Sequence, residues 1–241
     1  MHVIEYLREF NMASVALRLT LAMFCGGIIG MERERKRRAA GFRTYMLVGL
    51  GATLAMLLGQ YEAQMLEEFW SALVQSLGIH TDVSRFGAQV INGIGFLGAG
   101  TVIVNMGKQQ VKGLTTAAGL WASGCMGLAI GAGFYECVIL AVLLMIFSMR
   151  VLNRIENHIV GNSRNMNLYM EFGSMDDVGR IINQLKLLGT HIYEVEIGHG
   201  HKEQFQNPSV VVTLRLTEKT AHTQLIASMM DLECIRVIEE I

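Results

Sequence analysis

Positions 92 to 104 read NGIGFLGAGTVIV, and Gly93, Gly95 and Gly98 fit the G-x-G-x-x-G spacing with which a backbone turn cradles a dinucleotide pyrophosphate. That chemistry needs a buried strand before the glycines, a helix after them and an acid about 20 residues on to hold the ribose. Upstream stands SRFGAQVI, where Arg85 and Gln89 interrupt any apolar strand, and no Asp or Glu occurs between Asp82 and Glu136. The nucleotide reading fails on context. The chain instead carries no charge from Phe86 to Gly107, nor from Gly113 to Tyr135. Each run is long enough for the roughly 20 apolar residues that span a bilayer. Gly93, Gly95, Gly98 and Gly100 then serve either as contact surface between helices or as points where backbone distorts along an ion path.

The elements that must position these residues follow from hydropathy. With 51% hydrophobic residues, 26 glycines and one proline in 241, the composition excludes disorder and points to a helical membrane protein. Apolar runs predict five spans, at about 11–31, 44–60, 87–105, 114–132 and 134–152, making residues 1–153 a transmembrane domain. The link after the first span holds Arg33, Arg35, Lys36, Arg37, Arg38 and Arg43; Lys108 and Lys112 follow the third, and Arg150 and Arg154 the fifth. Basic links stay in the cytoplasm, so the N-terminus is expected outside and the C-terminus inside. The start, MHVIEYLREF, has no basic region leading into a short apolar core, so no cleavable signal is expected. Cys25, Cys125, Cys137 and Cys234 have no metal-ligand spacing and read as small buried hydrophobes.

Small residues recur every fourth position: Thr115, Gly119, Ser123, Gly127 and Gly131 in the fourth span, Ala22, Gly26 and Gly30 in the first, and Gly51, Ala55 and Gly59 in the second. Such ridges let backbones approach where lipid offers no hydrophobic drive. Arg18 lies inside the first span, where it either snorkels to the outer headgroups or joins a polar layer with Asn92 and Glu136 that binds an ion or a partner helix. At the inner ends, Glu32, Arg33, Glu34 and Arg35 leave the first span, Arg43 and Thr44 open the second, and Thr115 and Thr116 open the fourth. The bases serve as topogenic anchors and the threonines as caps, while acids alternating with bases predict an ion-pair network through Glu32, Arg35 and Arg43.

From about residue 162 the pattern turns amphipathic. LYMEF (168–172) reads as a strand; SMDDVGRIINQLKLLG reads as a helix capped by Ser174 and Asp177, with Val178, Ile181, Ile182, Leu185 and Leu188 on one face and Gly189 at its end. HIYEVEIG and SVVVTLRL follow as strands, TEKTAHTQLIASMM as a helix and CIRVIEEI as a last strand. The order βαββαβ predicts a ferredoxin-like α+β domain at 167–241, joined by a linker at 154–166 and steadied by dimerisation. His199 and His201, with His191, are weak candidates for a metal site, and solvated turn histidines are the plainer reading. No nucleophile and base are spaced for catalysis, so no enzyme, no cofactor and no nucleic-acid partner are expected.

The stretches GGIIGMERE (26–34), GFRTYMLVGLGA (41–52), QVINGIGFLGAGTVI (89–103) and VKGLTTAAGLWASGCMGLAIGAG (111–133) resemble the MgtC/SapB family of bacterial inner-membrane proteins. The family pattern falls on Gly30, Glu32, Arg33, Glu34, Arg43, Thr44, Asn92, Gly93, Gly95, Phe96, Gly98, Gly100, Gly113, Leu114, Thr115, Thr116 and Trp121, with Phe42 standing where leucine is more usual. The tail is similar in topology to the ACT-like domain of some members. The resemblance implies a non-enzymatic protein tied to growth in low magnesium and, in pathogens, to virulence. It also implies a membrane partner, an F-type ATP synthase subunit or a small membrane regulatory protein. A protein that binds or passes Mg²⁺, and a ligand sensor working through the tail, are the alternatives.

Overall fold

Asn11 separates two helices in the computed structural model. Its side chain accepts from the Ser14 backbone N–H at 2.8 Å, capping α2 (Met12–Arg35) after the short α1 (His2–Arg8). Residues 2–78, 82, 84–105, 110–161, 164–198, 207–216 and 222–241 are described. The chain divides into two compact units, Met1–Ile103 with Val111–Leu152, and Val104–Gln110 with Asn153–Ile241.

In the first unit α2 is followed by α3 (Phe42–Glu68), the short α4 (Ser71–Leu77), α5 (Ser84–Ala99), α6 (Leu114–Gly131) and α7 (Tyr135–Phe147). Four helices among the described residues are long and apolar enough to cross a membrane, namely α2, α3, α6 and the run Tyr135–Glu156 that begins with α7. The expected span at 87–105 is corrected: the helix stops at Ala99. Gly98 and Gly100 weaken helix there, and the β-branched run Thr101, Val102, Ile103 and Val104 favours extended backbone. Ile103–Asn105 (β1) pairs instead with Gln110–Lys112 (β2) as a two-stranded ribbon.

At 16 residues α5 is about 24 Å long, short of a hydrocarbon layer of roughly 30 Å. It nevertheless lies antiparallel along α6. Gly87 neighbours Leu128, Ile94 fills the space left by Gly124, and Gly98 meets Ala117. The core of this unit is formed by Ala22, Cys25, Ile29, Tyr45, Leu120, Met126 and Ile130 on three helices, joined by Ile94 of α5 and Val138 of α7. A π-helical turn, Ser148–Leu152, follows α7.

The main segment of the second unit starts with α8 (Asn153–Gly161), so much of the expected linker is helical. Next come β3 (Asn165–Phe172), α9 (Val178–Leu187), β4 (Thr190–Gly198), β5 (Ser209–Leu216), α10 (His222–Met230) and β6 (Ile235–Glu240). The sheet order is β4-β5-β3-β6 with every pair antiparallel, the ferredoxin-like arrangement predicted from the βαββαβ order. Ser174 and Asp177 form the expected capping box ahead of α9. Met166, Leu168, Met170 and Phe172 occupy alternate positions on β3, and Val210, Val212, Leu214 and Leu216 do so on β5. Both rows bury against Ile181, Leu185, Leu225 and Met229 of the two helices. His199 and His201 lie outside the described residues.

Candidate functional site

Arg18 is the most completely buried charge in the membrane unit, at 1% exposure. Its guanidinium donates through Nε to the Tyr135 hydroxyl at 3.3 Å. Nη1 reaches Gln60 Oε1 at 2.9 Å and the Gly131 carbonyl at 2.8 Å; Nη2 reaches the carbonyls of Leu7 at 3.2 Å and Arg8 at 2.8 Å. The Tyr135 hydroxyl donates onward to the Leu7 carbonyl at 2.8 Å. One cation thereby ties α1, the end of α3, the end of α6 and the start of α7 to α2. Gly133 makes room for it: the residue sits at φ +76°, and a side-chain carbon there would lie 3.0 Å from Arg18 Nη2.

The polar layer expected around Arg18 has a different membership. Snorkelling is not observed, since the guanidinium is enclosed, and neither Asn92 nor Glu136 is among its hydrogen-bond partners. Glu136 is exposed and pairs with the Arg8 side chain. Asn92 is exposed on the outer surface of α5, one turn from Phe96, which is 81% exposed. Among the described residues the Asn92 amide has no hydrogen-bond partner. Sequence reasoning missed Gln60 and Tyr135; a polar residue inside the second apolar run was the available signal for Gln60.

The opposite end of the bundle holds a second polar node. Glu32 and Arg33 are buried, with Lys36 Nζ 2.8 Å and Arg33 Nη1 3.7 Å from the Glu32 carboxylate. Arg33 Nη2 donates to Thr116 Oγ1 at 3.2 Å, the Tyr45 hydroxyl to the Thr116 carbonyl at 3.4 Å, and Lys36 Nζ to the Met149 carbonyl at 3.3 Å. Arg33 Nε is buried with no acceptor among the described residues. The expected network through Glu32, Arg35 and Arg43 forms instead through Glu32, Arg33, Lys36, Tyr45 and Thr116; Arg35, Arg43, Thr44 and Thr115 are exposed. Glu34 accepts from the Phe42 N–H at 2.9 Å and so caps α3 across the turn.

The small-residue ridges sort into two kinds. A side-chain carbon on Gly127 would lie 2.5 Å from the Gly49 carbonyl, and one on Gly26 would lie 2.6 Å from the Tyr45 carbonyl, so α3 approaches both neighbours at backbone distance. Gly30 and Gly119 are filled in the same way by Phe42 and Tyr45, and Ser123 is buried beside them. Thr53 adds a hydrogen bond from α3 to the Gly127 carbonyl at 2.8 Å. Gly93 and Gly95 meet nothing within 4 Å, Gly98 makes ordinary contact with Ala117, and Gly100 nears only its own preceding turn. The motif GIGFLGAG therefore sits on a helix that is packed along one side and bare along the other.

A sequence model of the MgtC family matches residues 19–158, which hold the whole of the Arg33 node and, of the first node, Gln60, Gly131 and Tyr135, with Arg18 itself and the α1 carbonyls preceding the match. The chain belongs to the MgtC family. It is 34% identical over 163 residues to the putative magnesium transporter YhiD of Escherichia coli K12, covering 67% of this chain and 71% of that one. It is 26% identical to protein SapB of Bacillus subtilis over 84% of each chain, and 37% identical to protein MgtC of Brucella abortus over 56% of this chain and 50% of the other. No solved structure matches it significantly. As an MgtC-family membrane protein it keeps its buried charged groups in the two nodes, and between them the helices are held by glycine contacts with the Thr53 hydrogen bond and buried Ser123. Among the described residues no group of three or more His, Cys, Asp and Glu is placed to hold a metal ion.

Proposed function

We propose that this MgtC-family protein is a regulator in the bacterial inner membrane, linked to magnesium homeostasis and acting on a membrane partner through the bare side of α5. The observation that carries the reading is Asn92. An amide in the middle of an apolar helix, exposed beside Phe96 and without an internal partner among the described residues, seeks one on a second helix. Gly95 on the same helix leaves room for a close backbone approach. The family resemblance makes the proton-conducting part of an F-type ATP synthase the partner of first choice. The tail domain, facing the cytoplasm and pairing as a homodimer, would report a ligand to the helices.

ATP-driven proton pumping in inverted bacterial membrane vesicles tests this. The protein is expected to suppress pumping, and Asn92→Leu to relieve the suppression while keeping the same unfolding midpoint. Pumping that is unaffected at every dose sinks the reading. A cation-handling reading is favoured by the buried Glu32 carboxylate and by the name of the Escherichia coli relative. Against it, Glu32 already faces Lys36 and Arg33, whereas Mg²⁺ seeks free carboxylate oxygens and retained waters.

A further inference from the structure

An open groove of about 580 Å³ runs between α3 and α5. Its polar lining is confined to one end, where Arg43 and Thr44 stand at the first turn of α3; beyond them the walls are apolar, with Leu47 and Leu97 among them. The floor is opened by Gly51 and Gly93, neither of which has a neighbour within 4 Å of where a side chain would begin. Arg43 is exposed and has no ion-pair partner among the described residues, although Arg33 and Lys36 on the same side of the bundle both face Glu32. A cation and a hydroxyl at the membrane surface, with hydrocarbon-lined space below them, match the two ends of a phospholipid.

We infer that this groove is a site for one anionic phospholipid, its phosphate on Arg43 and the Thr44 hydroxyl and one acyl chain lying over Gly51 and Gly93. Length selects a lipid over a helix. From Arg43 to Ala52 the lining covers nine residue steps of α3, about 14 Å at 1.5 Å per residue. That is about half of a hydrocarbon layer of roughly 30 Å, the depth of one leaflet. A transmembrane helix would run the full depth. The planar guanidinium of Arg43 suits a phosphate diester, which it can hold with two N–H groups at once.

The full-length protein in a neutral detergent, titrated with phosphatidylglycerol or phosphatidylcholine and read by native mass spectrometry and thermal unfolding, tests the site. Phosphatidylglycerol is expected to bind as a single tight adduct and raise the unfolding midpoint more than phosphatidylcholine does. Arg43→Gln should weaken that adduct about tenfold, the loss of one charge-assisted hydrogen bond. Gly93→Leu should block both lipids by filling open space without touching any packed neighbour. Equal binding of the two lipids, or a phosphatidylglycerol adduct unchanged in both variants, overturns the site. A change from dimer to monomer in Gly93→Leu overturns it as well, by assigning the groove to a second copy. Inorganic phosphate reproducing the full midpoint shift would overturn the acyl-chain part.

Discussion

Arg18 shows how a charge is carried inside a membrane helix without a carboxylate to match it. Its five hydrogen bonds go to neutral oxygens, three of them backbone carbonyls, so the guanidinium is satisfied by shape and not by opposite charge. Lysine keeps the charge but offers donors from a single point, which cannot reach both the Gln60 side and the α1 side. With interhelical bonds worth about 0.6 kcal/mol each, Arg18→Lys is expected to cost on the order of 2 to 3 kcal/mol, seen as a lower unfolding midpoint in detergent. Arg18 was legible in the sequence as the one charge within the first apolar run. Its partners were not, because carbonyls carry no sequence signal and Gln60 and Tyr135 lie 42 and 117 residues away.

Tyr169 carries a second prediction at the same scale. Burial, with the hydrogen bond it donates to Glu171 at 2.8 Å and the charge of that carboxylate, holds its phenol up to about 12, above the ordinary value of 10. A proton held more tightly in the folded state contributes stability in full below pH 10, and that contribution fades as pH rises toward 12. The difference in phenolate absorbance between the wild-type protein and Tyr169→Phe should therefore appear near pH 12; a step at pH 10 would refute the assigned environment.

For the helices, the sequence announced small-residue ridges but not which of them are occupied. Small residues recur every fourth position along α6, and Gly95 and Ala99 stand at the same spacing on α5. Only the neighbour decides whether the gap is filled, and Gly93 and Gly95 of α5 are left with nothing within 4 Å. Gly127→Ala forces a methyl against the Gly49 carbonyl and should destabilise by about 1 to 3 kcal/mol, as overpacked sites do. Gly93→Ala meets nothing and should be neutral or gain up to about 1 kcal/mol from helix propensity. Parallel unfolding of the two variants measures the contrast, and equal effects would mean that the ridges are not distinguished as described. In the tail, by contrast, almost every element was legible, because period-two strands and a capping box are local signals. The end of α5 was misplaced because an apolar composition continues to residue 104 while the backbone preference changes at Gly98.

The architecture of the whole molecule turns on whether α5 crosses the membrane, since four crossings put the two termini on one side and five put them on opposite sides. Length alone favours four, because α5 has 16 residues. The two polar nodes argue otherwise. Arg18 gathers the start of α2, the end of α3, the end of α6 and the start of α7 at one end of the bundle; Arg33, Tyr45, Thr116, Lys36 and Met149 gather the opposite ends of the same helices at the other. The chain leaves α3 at the Arg18 end and must enter α6 at the Arg33 end, and α5 runs in that direction, antiparallel along α6 from Leu128 to Ala117. Short spans are accommodated by local thinning of the bilayer at a modest cost. Five crossings are therefore expected, with Arg38 inside and Phe69 outside. Single cysteines at those two positions, in a chain whose own four cysteines are replaced by alanine, would be probed with a membrane-impermeant maleimide. Phe69→Cys should label in intact cells and Arg38→Cys only in inverted vesicles. A cysteine placed at Lys112 should then follow Arg38→Cys; if it labels in intact cells with Phe69→Cys, α5 does not cross and the antiparallel placement of α5 on α6 is wrong.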